Sequence, residues 1–409
     1  MAAGKNYKRV VITGLGVVSS LGIGWEDFWP NIMAGKSGIS KIESFDTAPY
    51  DRHFGGEVKN FNPEHFIDKR KIPQLGRASQ MAIAASKLAL KDAKIKLDEL
   101  AKRKCGVCIG TTMGESQAIE SMVKQITDSG RFNAKKILIL EYPADSIAAN
   151  VSRYFGFKER SFLFANACAA GNYSIGYAHD LISSGKAEYM LAGGADALSR
   201  IAFTGFGRLY AMAPEKCQPF DKNRKGMMLG EGSGILFLES LDSAKKRKAH
   251  IYAEILGYGL SCDAFEMTAP KIEGVVKAME RSIKQSGIQK EEISYVSAHG
   301  TGTPENDTAE CQAINKALGS NTPKVPVSSI KSMLGHTMGA AAALEAIACC
   351  LSIEKQEVPP TINLEAQDPE CKIDCVPGKG RKHKVGTVLN NSQAFGGNNA
   401  CVAMRRYAQ

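Results

Sequence analysis

The sequence predicts an α/β protein made of two related halves with largely buried sheets. Three observations lead there. Short apolar runs recur along the chain, end in glycine or another small residue, and are followed by helical periodicity. The 40 glycines among 409 residues fall mostly at the ends of those runs, where strand-to-helix turns need them. Two distant passages also share one plan of strand, tight turn and small-residue helix.

Taken in order, strands are expected at Val10–Thr13, Gly106–Gly110, Ser161–Ala165, Tyr189–Ala192 and Gly234–Glu239. Further strands are expected at Tyr252–Leu256, Tyr295–Ala298, Val325–Ile330 and Val385–Asn390. The two passages of shared plan are Ser161–Ala165 leading to a helix over 169–184, and Val325–Ile330 leading to a helix over 338–351. Ile175, Ala178 and Ile182 hold helical spacing in the first, as do Leu344, Ile347 and Leu351 in the second. The basic run Lys245–Lys248 is the expected surface connector, which divides the chain into halves at 1–250 and 251–409.

Composition narrows the class. The chain is 44% hydrophobic and 23% charged, as a globular protein is, and carries a formal net charge of +10. A basic surface favours an acidic partner. No basic helix with interleaved aromatics and no zinc-finger spacing occurs, which argues against nucleic acid. Eleven cysteines without framework spacing read as reduced thiols in a cytosolic protein. Lys8 and Arg9 precede an apolar run that Gly14, Gly16 and Gly22 interrupt, so a buried first strand is expected rather than a signal peptide. The apolar stretch from Met338 to Leu351 is too short to span a bilayer, and no membrane partner is expected. Gly14-Leu-Gly16 resembles half of a dinucleotide fingerprint, but the third glycine is missing.

Four predicted strand ends carry residues able to do chemistry. Asn166-Ala-Cys168-Ala-Ala-Gly171 puts a thiol at a strand-to-helix turn, where unpaired N–H groups favour thiolate. A buried inert thiol fits the same position. His299-Gly-Thr-Gly-Thr303 and Lys331-Ser-Met-Leu-Gly-His336 end two further strands, and each histidine could equally cap a local network. Asn390 to Asn398 supplies the fourth end, with Gly396 and Gly397 allowing a backbone N–H to face a site. Open α/β folds collect their active sites at such carboxyl ends.

These motifs, in this order over the whole chain, resemble the elongating β-ketoacyl-acyl carrier protein synthases of the thiolase superfamily. The resemblance rests on Val10-Val-Ile-Thr-Gly-Leu-Gly16, the Cys168 turn, Ala192-Gly-Gly-Ala-Asp196 and Pro219-Phe-Asp-Lys-Asn-Arg224. It continues through Leu229-Gly-Glu-Gly232, Thr268-Ala-Pro270, His299-Gly-Thr-Gly-Thr-Pro304, Lys331 to His336 and Phe395-Gly-Gly397. It implies a thiolase-like fold with five layers, αβαβα. It also implies a Cys168, His299 and His336 catalytic set with Lys331, supported by Glu345 and Asp307. Cys168 would carry the acyl group, and the backbone N–H groups of Cys168 and Phe395 would form the oxyanion hole. The histidines would steady the enolate that decarboxylation of a malonyl thioester leaves, and no metal or redox cofactor is implied. An acidic acyl carrier protein is the implied partner and a homodimer the implied assembly, with a heterodimer beside a chain-length partner as the alternative.

Several positions depart from the family pattern. Gln393 and Ala394 stand where the family has Phe-Gly, and Asn398 stands in place of Thr. That loop gates the acyl pocket in the family, so Phe395, Gln393 and Met113 are the expected gate and pocket residues. The family's carrier-docking arginine falls at Tyr210, with Arg208 nearby, so docking is expected on Lys69, Arg70, Lys71 and Arg208. Fatty acid elongation is the leading function; a specialised type II polyketide or aryl polyene pathway is the alternative. A non-condensing partner subunit would lack the nucleophile.

Overall fold

In a computed structural model describing residues 7–97, 100, 104–131 and 136–408, the first half contributes five main strands to the large sheet. They are β1 (Val10–Ser19), β2 (Cys105–Gly110), β3 (Ser161–Phe164), β4 (Tyr189–Asp196) and β5 (Gly232–Ser240), in spatial order β1-β5-β4-β2-β3. The second half repeats this with β6 (Ala253–Cys262), β7 (Ile293–Ser297), β8 (Val327–Ser328), β9 (Thr387–Gln393) and β10 (Asn398–Arg405), in order β6-β10-β9-β7-β8. Directions match as well. The fifth strand of each half runs antiparallel between the first and fourth, and the second, third and fourth are parallel. Val10–Ile12 of β1 pairs with Ala253–Ile255 of β6, so the two sheets are continuous.

Six helices complete the layers: α1 (Arg77–Asp92), α2 (Ser146–Phe155), α3 (Ala170–Ser183), α4 (Ile272–Ser286), α5 (Pro304–Leu318) and α6 (Ala341–Lys355). α1 and α2 cover the outer face of the first sheet, α4 and α5 that of the second, and α3 and α6 pack on each other between them. This is the αβαβα arrangement that the sequence predicts. α6 has apolar side chains on every face and is buried over nearly its whole length, as a helix between two sheets must be. Its Glu345 is therefore a carboxylate inside the core, and the fold has to answer it.

Gly14 and Gly16 lie inside β1, not in a phosphate-binding loop. A Cβ on Gly16 would stand 1.8 Å from the Ala85 carbonyl oxygen, and one on Gly14 2.2 Å from that of Ala89. Both glycines let α1 lie against the strand, which accounts for the partial dinucleotide motif by packing.

Three expectations need correction. β10 was not anticipated, because its polar start at Asn398-Asn399 follows two glycines and reads as loop; Ala400 to Met404 is nonetheless fully buried. The Val325–Ile330 strand shrinks to Val327–Ser328, since Ile330 already begins the turn into the Lys331–Leu334 helix. Between β5 and β6, Lys245, Lys246 and Lys248 face solvent, but Arg247 turns inward. It bonds the fully buried Glu239 at 2.5 Å and the Thr13 hydroxyl at 3.0 Å.

Candidate active site

Cys168 sits where β3 gives way to α3. Ala167 before it adopts φ 47°, a left-handed conformation that a non-glycine residue holds only under constraint from its surroundings. A single turn of 3₁₀ helix, Ala167–Ala169, then leads into α3. The thiol is 3% exposed. Burial pushes it up to about 12; the Lys331 ammonium and the backbone N–H groups of Cys168 and Phe395 pull the other way. Burial therefore outweighs the Lys331 charge and the two N–H groups, which favours the thiol over the thiolate the turn alone suggests. The same two N–H groups that face the sulfur are those expected to form an oxyanion hole.

Lys331 opens a short helix after β8 and is 1% exposed. Its ammonium donates to the His299 carbonyl at 2.7 Å, approaches His299 Nδ1 at 3.2 Å and pairs with Glu345 of α6. Because Nδ1 of His299 accepts from an ammonium, the ring carries its proton on Nε2. His336 arrives at the same tautomer by another route, its Nδ1 accepting from the Met338 N–H at 3.2 Å. Its buried Nε2 has no partner among the described residues. The two rings meet edge to face with centroids 5.2 Å apart. Burial, and then the Lys331 charge, hold both histidines well below 6.5, so both are neutral donors. Glu345 is lifted to about 7 by burial against the pull of Lys331.

Three other buried carboxyls hold the loops. Asp307 on α5 accepts from the Phe220 and Gly302 N–H groups at 2.9 and 3.2 Å, which fixes the segment after His299. Glu310, one turn on, accepts from the N–H groups of His299 and Gly300, both at 2.8 Å, and burial raises it to about 7. Asp196, the last residue of β4, binds the Thr111 hydroxyl and the N–H groups of Thr112, Met113 and Gly339. Glu310 and Asp196 had no assigned role at the sequence level. The signals were the i, i+3 spacing from Asp307, which puts both carboxyls on one helix face, and a strand end like the other four.

Cys168, His299, His336, Gln393 and Phe395 line one chamber, whose solvent-sized space is about 20 Å³. Thr301, Thr303, Asn306 and the segment Glu266 to Pro270 line it too. On the far side of Phe395 lies an apolar cluster: its ring is 5.7 Å from that of Phe206, and Met113, Phe203 and Met338 pack there too. The fold thus brings every expected site residue but the docking set into one place. Lys69, Arg70 and Lys71 lie on exposed turns before α1, where Lys69 is 3.5 Å from Glu64 and Arg70 is 2.8 Å from Asp68. Arg208 ends the exposed helix Arg200–Arg208, with Tyr210 89% exposed just beyond it. Among the described residues, no group of three or more His, Cys, Asp or Glu side chains is placed to hold a metal ion.

Similarity to known proteins agrees with this geometry. Residues 7–244 match the family described as Beta-ketoacyl synthase, N-terminal domain, and residues 252–365 match Beta-ketoacyl synthase, C-terminal domain. The chain is 39% identical to a 3-oxoacyl-[acyl-carrier-protein] synthase 2 of Synechocystis sp. over 98% of both chains. It is equally identical to one of Staphylococcus aureus, covering 98% of this chain and 99% of the relative. Among solved structures it superposes on the ishigamide ketosynthase/chain length factor with TM-score 0.96 and 43% identity, over 98% of this chain and 100% of the other. A type II ketosynthase in complex with its acyl-carrier protein (AntDE:AntF) matches with TM-score 0.90 and 34% identity, over 98% and 100%. The chain belongs to the β-ketoacyl synthase family.

Proposed function

We propose that the protein catalyses decarboxylative condensation of an acyl group, held on Cys168, with a malonyl thioester on an acyl carrier protein, in fatty acid elongation. The observation that carries this reading is the pair of neutral histidines, both with Nε2–H free to donate into the chamber that holds Cys168.

The steps follow from that geometry. The Cys168 sulfur attacks the acyl thioester while the oxyanion faces the N–H groups of Cys168 and Phe395. The carrier's sulfur leaves and takes up the proton that the thiol gives up. A malonyl thioester then binds and its carboxyl–carbon bond breaks. Carbon dioxide departs, and the electron pair moves onto the α-carbon and thioester oxygen, where His299 and His336 donate hydrogen bonds. The carbanion attacks the acyl carbonyl, the bond to Cys168 sulfur breaks, and the thiolate regains a proton. Lys331 holds His299 in its tautomer, and Glu345 balances the ammonium. Asp307 holds the loop after His299. Phe395 and Gln393 line the chamber, Met113 packs in the apolar cluster beyond Phe395, and together they set which chains fit.

Lys69, Arg70, Lys71 and Arg208 supply positive charge for an acidic carrier, with Arg208 free of any ion pair among the described residues. β3 is an edge of the sheet, and Val123, Ile126 and Leu140 expose apolar surface on the helices Ser116–Ser129 and Lys136–Glu141. An open edge and such a face favour a second subunit, a copy of this chain in the leading reading. Eleven free cysteines suit the reducing cytosol, and no helix among the described residues is long and apolar enough to cross a membrane. The division at 1–250 and 251–409 separates the nucleophile from the histidines and the Phe395 loop.

The alternative reading is the same condensation in a specialised type II polyketide or polyene pathway, with a chain-length partner in a heterodimer. Its support is the 43% identity to the ishigamide ketosynthase/chain length factor, against 39% to the curated synthases. Intact-mass measurement with acyl-carrier thioesters of graded length and unsaturation tests both readings. Wild type gains the acyl mass and Cys168→Ala does not; no gain with any thioester overturns the assignment of the nucleophile. Saturated chains preferred in that panel support elongation, and polyunsaturated chains the alternative.

A further inference from the structure

In each half the fourth strand ends beside the chamber, and the two ends are built oppositely. Asp196 closes β4 and accepts four hydrogen bonds from two loops. Gln393 closes β9, is 3% exposed, and has neither its Oε1 nor its Nε2 bonded among the described residues. It lines the same chamber as Cys168, His299 and His336, together with Thr303 and Asn306. A buried carboxamide with both ends unmet loses its hydration without replacement, so its presence at the reacting centre calls for a partner. A hydrocarbon passing there leaves both ends unmet. An acceptor-only anion meets Nε2 and sets negative charge against Oε1. A neutral group with both a donor and an acceptor meets either end.

We infer that Gln393 is a specificity-determining residue of the condensation, hydrogen-bonding through its carboxamide to a neutral polar group of the substrate close to the thioester. That group is a hydroxyl on the acyl chain or an amide in the arm that carries it. The inference rests on the proposed acylation of Cys168.

The test follows mass gain on Cys168 at sub-saturating thioester, using butanoyl and 3-hydroxybutanoyl groups. Each is presented on N-acetylcysteamine, which has an amide, and on ethanethiol, which has none. If Gln393 reads the chain, wild type prefers the hydroxyacyl group by about tenfold on both thiols, the factor expected for one unmet buried group. If it reads the arm, wild type prefers N-acetylcysteamine over ethanethiol by a similar factor for both chains. In either case Gln393→Met brings the preference to within twofold, with Gln393→Leu as the second variant and thermal melts as the check on folding. A wild type that discriminates less than twofold in both comparisons overturns the inference without any variant, as does a Gln393→Met enzyme that keeps the wild-type preference. Absence of acylation by all four thioesters in wild type tells instead against the Cys168 reading.

Discussion

The two halves make the same turn and use it differently. In the first, Ala167 at φ 47° leads through one 3₁₀ turn into α3; in the second, Met338 at φ 54° leads through Met338–Ala340 into α6. Position for position, the counterpart of Cys168 is Gly339. Its N–H donates to Asp196 at 2.7 Å, and a Cβ there would stand 2.5 Å from the Thr111 backbone. The first turn therefore displays a sulfur, and the second packs backbone against backbone. The second half moves its chemistry one step earlier in the chain, to Lys331 and His336. The lesson is that a repeated scaffold supplies two similar crevices, while in the proposed reaction side chains divide the labour: nucleophile from one half, histidine donors from the other.

The sharpest way to break this division is to remove the sulfur. Cys168→Ala should lower condensation by more than about a thousandfold, as removal of a covalent nucleophile does, with an unchanged melting temperature, measured as β-ketoacyl product and by calorimetry. Next come the donors. His299→Ala and His336→Ala should each lower condensation by about 100- to 10,000-fold while acyl mass still appears on Cys168. A variant that loses acylation more than condensation would dissolve the division between halves.

Lys331→Ala should cost stability, because Glu345 loses its partner and, already raised to about 7, must take up a proton to stay buried. About 1–3 kcal/mol is expected for leaving buried polar atoms unmet, read as a shift in urea midpoint. Lys331→Met combined with Glu345→Gln should recover much of that loss, and a double variant no more stable than the single would refute the pairing.

The smallest effect concerns pH. Both histidines lie below 6.5 in the folded protein, so their stabilising neutral state is present above 6.5 and is lost only as pH falls toward the depressed values. The imidazole NMR signals of both rings should accordingly show no inflection at 6.5, read on the rings themselves because Glu310 and Glu345, raised to about 7, also titrate in that range. Removing the Lys331 charge lets His299 rise, so its inflection should move toward 6.5 in Lys331→Met. Wild-type rings that titrate at 6.5 would lie in ordinary solvent-like surroundings.

Much of this was legible in the residues. Short apolar runs, several of them closed by glycine, marked nine of the ten main strands, and the order of Cys168, His299, Lys331, His336 and Phe395 marked the candidate site. β10 escaped because a strand entered through Gly396, Gly397 and two asparagines shows no alternation at its start. Glu310 and Asp196 escaped because a buried carboxylate looks like a surface one until the neighbouring N–H groups are seen.

What the sequence determined by itself was most of the main strands, the two-half plan and the family, since periodicity, turn residues and motif order are local properties of the chain. The tertiary structure decided the protonation states and the partners. The thiol preference at the Cys168 turn, the shared tautomer of the two histidines and the unmet carboxamide of Gln393 each depend on how far water is excluded and on which distant N–H or ammonium arrives. Desolvation and long-range hydrogen bonding are properties of the packed molecule, and no stretch of sequence carries them alone.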